Sequence, residues 1–126
     1  MQTLEIPGLR SIDYNYSSNR IGDISEFFVL YSALKRGAEV FYNHGSAGKA
    51  DLVLKINDQL YEIDVKTAVK SEKGLWRAKN CDKVKPPVWA LVVTPYPDKE
   101  YECRWPHKWG NQHAVTCPPG LEDFWQ

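Results

Sequence analysis

Apolar residues stand at Ile24, Phe27, Phe28, Tyr31 and Leu34, the i, i+3, i+4, i+7, i+10 spacing of one helix face. The pattern predicts a helix over residues 24–36, with Asp23 as its N-cap and Gly37 as the glycine just past the last turn. Beyond Gly37 the period shortens. Three β-prone runs follow at residues 38–42, 51–56 and 60–67, with Asn57, Asp58 and Gln59 reading as a tight hairpin loop between the last two. Residues 71–84 are predicted to hold a short helix, weakened by Gly74. Residues 88–94, VWALVVT, form an unbroken apolar run between prolines, as suits a strand covered on both faces. Helix, three strands, helix, strand is an α/β order that implies a mixed sheet.

After Thr94 the periodicity stops. Pro95, Pro97, Pro106, Pro118 and Pro119 alternate with Trp105, Trp109 and Trp125. Disordered segments are poor in large aromatics, so residues 95–126 are expected to be an irregular appendage packed onto the core at about 20–94.

The 126 residues, 43% of them hydrophobic, suffice for one core and not for two, so a single domain over 1–126 is expected. Sixteen Lys plus Arg balance sixteen Asp plus Glu, which excludes a histone-like polycation but allows a local basic surface. No apolar run approaches the ~18 residues of a membrane span, and the start lacks the apolar stretch of a secretory signal. Three widely spaced cysteines make no disulfide framework. These features lead us to expect a soluble cytoplasmic protein with reduced thiols and no membrane partner.

The segment YEIDVKT, residues 61–67, sets Glu62, Asp64 and Lys66 at alternate positions. On a strand all three face one way, against Tyr61, Ile63, Val65 and Thr67. A hairpin turning at 57–59 brings Asp51 level with residues near 65, so Asp51, Asp64 and Lys66 converge at one end of the sheet. Carboxylates held ~4 Å apart raise each other's pKa unless a cation lies between them. An all-oxygen site suits Mg²⁺, and a lysine beside it can orient a water and steady charge on a phosphate.

This arrangement resembles the PD-(D/E)XK, restriction-endonuclease-like nucleases: Asp51, a hairpin, then Asp64-Val65-Lys66, with Gly22-Asp23-Ile24-Ser25-Glu26 opening the preceding helix. The helix start is similar to that of Holliday-junction resolvases, and Ala50 stands where the motif has proline. The resemblance implies an αβββαβ core and a catalytic set of Glu26, Asp51, Asp64 and Lys66, in which Asp51, Asp64 and Glu26 hold Mg²⁺ (or Mn²⁺). It further implies a DNA endonuclease, either junction-selective or of the site-specific homing or restriction type. Cleavage of both strands by so small a domain suggests a homodimer. The rival reading is a catalytically inactive DNA- or partner-binding module on the same fold. Glu26 also fits the N3 position of a capping box begun by Asp23, and Asp64 with Lys66 also fits an exposed cross-face pair. Glu62 suits a supporting or surface position beside the site, the alternative being that it binds metal in place of Asp64.

Residues 43–49 contain Gly-Lys but are not a P-loop, since Asn43 and Ala50 break the motif; Ser46 and Lys49 either approach a phosphate or belong to an ordinary polar loop. From Lys66 to Lys85 the charges are mostly positive. Lys70, Lys73, Arg77 and Lys79, with Trp76 among them, are expected to meet the DNA backbone. Cys103, His107, His113 and Cys117 are spaced C-x3-H-x5-H-x3-C, which allows a tail zinc site or simply buried thiols and surface histidines.

Overall fold

A computed structural model describes residues 18–42, 50–106 and 117–126. Helix α1, Ser18–Lys35, is followed by β1 (Glu39–Tyr42), β2 (Leu52–Ile56), β3 (Gln59–Thr67), β4 (Val69–Lys70) and β5 (Trp76–Arg77). A single 3₁₀ turn, Cys81–Lys83, leads to β6 (Val88–Thr94) and β7 (Glu102–Arg104). Five strands form one sheet in the order β1-β2-β3-β6-β7. Only β3 and β6 run parallel, so the sheet is mixed, as the chain order implied.

The helix begins six residues before the expected 24–36 segment. Asp23 therefore lies inside α1 and is not its N-cap, and Glu26 cannot be the N3 residue of a capping box. At the other end the expected glycine closes the helix. Gly37 takes φ +88°, its N–H bonds the Leu34 carbonyl at 3.1 Å, and the Ala38 N–H bonds the Ala33 carbonyl at 3.0 Å. These two bonds are a Schellman cap, and the positive φ explains the glycine.

The face that α1 buries differs from the one its spacing suggested. Ser25, Phe28, Val29, Ser32 and Ala33 are buried, whereas Phe27, Tyr31 and Leu34 are exposed. The run FFVLYSAL is apolar almost all round, so periodicity alone does not select the inward sector. The small Ser25, Ser32 and Ala33 let the helix lie close to the sheet. There Phe28, Val29 and Ala33 pack on Leu52, Leu54, Ile56, Ile63, Leu91 and Val93. Burial of a Leu, Ile, Val or Phe side chain stabilises by about 1.5–3 kcal/mol, so this layer is the main source of cohesion.

Asn57 and Asp58 adopt φ 51° and 63°, and Gln59 already pairs with Ile56. The hairpin loop is therefore a two-residue turn of the I′ kind, one residue shorter than expected. The helix expected within 71–84 is absent. Val69 and Lys70 pair instead with Arg77 and Trp76, around a turn in which Gly74 takes φ +82° and donates to the Ser71 carbonyl at 2.9 Å. The left-handed glycine and the β-compatible residues flanking it favour a hairpin. The β3-to-β6 crossover is thus a small hairpin plus the 3₁₀ turn.

The tail's aromatics do pack on the core. Trp105 and Trp125 meet edge-on at 6.0 Å, and the Trp105 Nε1–H donates to the Leu121 carbonyl at 2.8 Å. The Arg36 guanidinium bonds the Trp125 carbonyl at 3.1 Å, joining the chain's last residues to the end of α1. Among the described residues, no helix is long and apolar enough to cross a membrane.

Candidate active site

Strand β3 separates two environments. Ile63 is fully buried, and Tyr61 and Val65 pack against the same core beneath α1. Glu62, Asp64 and Lys66 therefore point away from the helix, by the alternation of a pleated strand. Asp64 pairs with Ala90 and Lys66 with Val92 on β6, small or apolar neighbours that leave the charged groups room.

Asp51 lies one step beyond the Leu52–Ile63 pair, opposite Asp64, just before β2 begins. Its N–H bonds the Ile63 carbonyl at 2.8 Å. Its Oδ2 accepts the Val65 N–H, also at 2.8 Å. The carboxylate thus takes a backbone donor of β3 that has no strand carbonyl to meet. This bond anchors Asp51 against Asp64. Burial raises the Asp51 pKa, the Val65 N–H lowers it, and the Asp64 carboxyl raises it again through charge and hydrogen bonding, with Lys66 opposing. The Lys66 Nζ lies 3.3 Å from Asp64 Oδ2 in a half-buried ion pair.

Glu26 approaches from α1. Burial, and then the negative charges of Asp51, Asp23 and Asp64, push its pKa up to about 7. Its register is held by the residues beside it in sequence. The fully buried Ser25 hydroxyl accepts a 2.9 Å hydrogen bond from Thr67 Oγ1, linking the neighbour of Glu26 to the neighbour of Lys66. Nothing in the periodicity marks this pair. Its signal is a serine on the buried face of α1, two turns after the helix begins at Ser18.

The structure brings Asp51, Asp64 and Lys66 together, with Glu26 on α1 near enough to feel the charges of Asp51 and Asp64. Glu62 is on the same face but further along β3, and it is not among the charges that raise Glu26 or Asp51. Cys81 on the 3₁₀ turn was not anticipated, because it follows Lys66 by fifteen positions and joins it only through the fold. Its thiol pKa is raised by burial, with Lys66 opposing and Asp64 adding to the rise. Ser46 and Lys49 lie outside the described residues.

Oxygen donors, two of them adjacent carboxylates, match a hard divalent cation. The upward shifts of Glu26 and Asp51 come first from burial and then from the neighbouring carboxylates, and a cation beside them would offset both. Among the described residues, no three His, Cys, Asp or Glu side chains are gathered closely enough to hold a metal by themselves. A Mg²⁺-type ion uses one or two carboxylates and keeps several waters, so Asp51 and Asp64 are the residues that could hold one.

Of the basic segment, Lys70, Lys73, Arg77 and Lys79 are exposed on or beside the β4–β5 hairpin. Trp76 is half-buried and meets the Tyr96 ring edge-on at 5.5 Å, which seats the hairpin on the domain. In the tail, Cys103 is buried on β7 within the hydrophobic core, and burial pushes its thiol up to about 12. Cys117 is half-buried, packed against that same core. His107 and His113 lie outside the described residues.

No protein-family profile and no curated protein matches the chain. Among solved structures it is similar to the bacterial homing endonuclease I-Ssp6803I, at TM-score 0.55 and 26% sequence identity. The likeness covers 69% of this chain and 64% of the other, so the chain spans a little under two thirds of that neighbour's length. The mixed α/β architecture is therefore one that a nuclease uses.

Proposed function

We propose that this chain is a metal-dependent DNA endonuclease of the PD-(D/E)XK kind. The observation that carries the reading is the meeting of Asp51 and Asp64 across the end of a hairpin, with Lys66 3.3 Å from Asp64 and Glu26 arriving from the helix. The likeness to a homing endonuclease supports a nuclease, and it favours the site-specific type over a junction resolvase.

Asp51 and Asp64 would hold Mg²⁺, for which Mn²⁺ can substitute, and Glu26 would accept a proton from one of its waters. When bound, the metal offsets charge on the phosphate and on the departing oxygen. Lys66, fixed by Asp64, orients the attacking water and stabilises the negative charge that grows on the phosphoryl oxygens. The new bond forms between the water oxygen and phosphorus, the bond to the 3′ oxygen breaks, and that oxygen leaves as an alkoxide that takes its proton from solvent water. One domain serves one strand, so duplex cleavage calls for a homodimer.

Supercoiled plasmid tests this. Nicking should require Mg²⁺, stop in EDTA and fall about 10²- to 10³-fold in Asp64→Ala and Lys66→Ala. Nicking that persists in EDTA, or is equal in wild type and both variants, overturns the assignment. DNA binding with no cleavage under any metal supports an inactive module instead.

A further inference from the structure

On the charged face of the sheet, Lys66, Val92 and Arg104 occupy one row, because Lys66 pairs with Val92 and Val92 with Arg104. Paired residues on neighbouring strands share a face, so Arg104 stands on the same side as Lys66, two strand spacings or about 10 Å away. An open groove fills the interval. Val92 and Ala68 line it with small apolar side chains, and Trp76, Arg77, Ala78 and Cys81 form the side of the β4–β5 hairpin and the 3₁₀ turn. Arg104 and Pro106 close the other side. Cys81, whose thiol feels the charges of Lys66 and Asp64, ties this groove to the candidate reaction centre.

The groove's chemistry is selective in kind. Two guanidinium groups flank an apolar floor with an indole at one wall, a combination that takes a phosphate between arginines and a sugar or base against the floor. About 10 Å from the reaction centre is within roughly three nucleotide steps of one strand, at about 3.4 Å of axial rise each. The hairpin wall is lightly built, with two-residue strands, and Trp76 meets Tyr96 edge-on.

We propose that this groove is the subsite for the nucleotide flanking the scissile bond, with Arg104 and Arg77 holding its phosphate. This rests on the reading of Asp51, Asp64 and Lys66 as the reaction centre. Arg104 is then a substrate-binding residue contributed by the last strand of the sheet, outside the basic segment that the sequence singles out.

The test separates binding from cleavage. Anisotropy of a fluorescein-labelled 20-base-pair duplex would be followed with the Asp64→Ala protein in Mg²⁺, over a range of NaCl. Arg104→Ala should weaken binding about tenfold and lower the slope of log K against log[salt] by about 0.9. Arg104→Lys should restore the slope but only part of the affinity. Lys35→Ala, which removes a charge from the helix side of the molecule, should change affinity less than twofold. Arg104 is exposed, so the melting temperature should not move. Equal effects of Arg104→Ala and Lys35→Ala overturn the subsite. If the Arg104 result holds while the wild type never cleaves DNA, the groove stands as a phosphate-binding site only, and both the flanking-nucleotide subsite and the catalytic reading fall.

Discussion

The chain contains two small hairpins built on opposite terms. β2–β3 lies at the centre of the sheet, with Ile63 and Leu52 fully buried and a two-residue turn that leaves no slack. β4–β5 has two residues per strand, and Val69 is 65% exposed, so it contributes little to the core. The first sets the mutual position of carboxylates and lysine; the second carries basic side chains that need only to reach a ligand. Positioning for chemistry calls for a rigid element, whereas neutralising a phosphate backbone tolerates a loosely held one.

The contrast is broken most forcefully in the core. Ile63→Ala should cost about 2–5 kcal/mol in urea denaturation, while Val69→Ala stays within about 0.5 kcal/mol. Comparable costs would mean that the outer hairpin bears on stability after all.

Asp51 sharpens the comparison at the end of the inner hairpin. Asp51→Ala should lose about 1–3 kcal/mol, because the Val65 N–H is left without its acceptor. Asp51→Asn keeps an acceptor and removes the repulsion with Asp64, so its stability should equal or exceed that of the wild type. Both variants should lose cleavage, which separates the bond that fixes the strand end from the charge that chemistry needs.

Glu26 gives a pH signature. A carboxyl raised from 4.5 to about 7 binds more protons in the folded chain than in the unfolded chain between those values. Its contribution to stability is therefore present below about 4.5 and is lost as pH rises through about 7. Glu26→Gln should raise the melting temperature at pH 8 in the absence of divalent metal and leave it unchanged at pH 4. An identical shift at both pH values would refute the coupling. The smallest effect on stability belongs to Lys70→Ala with Lys73→Ala: no change in unfolding midpoint, with a salt slope of DNA binding shallower by about 0.9 per lysine.

These differences also mark what was legible in the sequence. The alternation in YEIDVKT and a hairpin at Asn57-Asp58-Gln59 brought Asp51 to the right end of the sheet but level with residue 65; the two-residue turn moves the register by one and sets Asp51 opposite Asp64. The sector that α1 buries was not legible, since Phe27 and Phe28 are equally apolar and only the approach of the sheet distinguishes them. The β4–β5 hairpin was misread as a helix because its few apolar residues set no period, and tertiary seating through Trp76 on Tyr96 decided the outcome. Ser25–Thr67 and Cys81 were invisible because each depends on a contact between distant segments.

The bond from the Val65 N–H to Asp51 sits at the end of the β2–β3 ladder farthest from the turn, which starts with Ile56 opposite Gln59 and reaches Leu52 opposite Ile63. A hairpin closing from its turn completes that last rung only after all the others, and thermal fraying opens it before them. Under the proposed function, catalysis depends on the outermost rung of that ladder. On warming, activity should fade several degrees before the fold itself gives way.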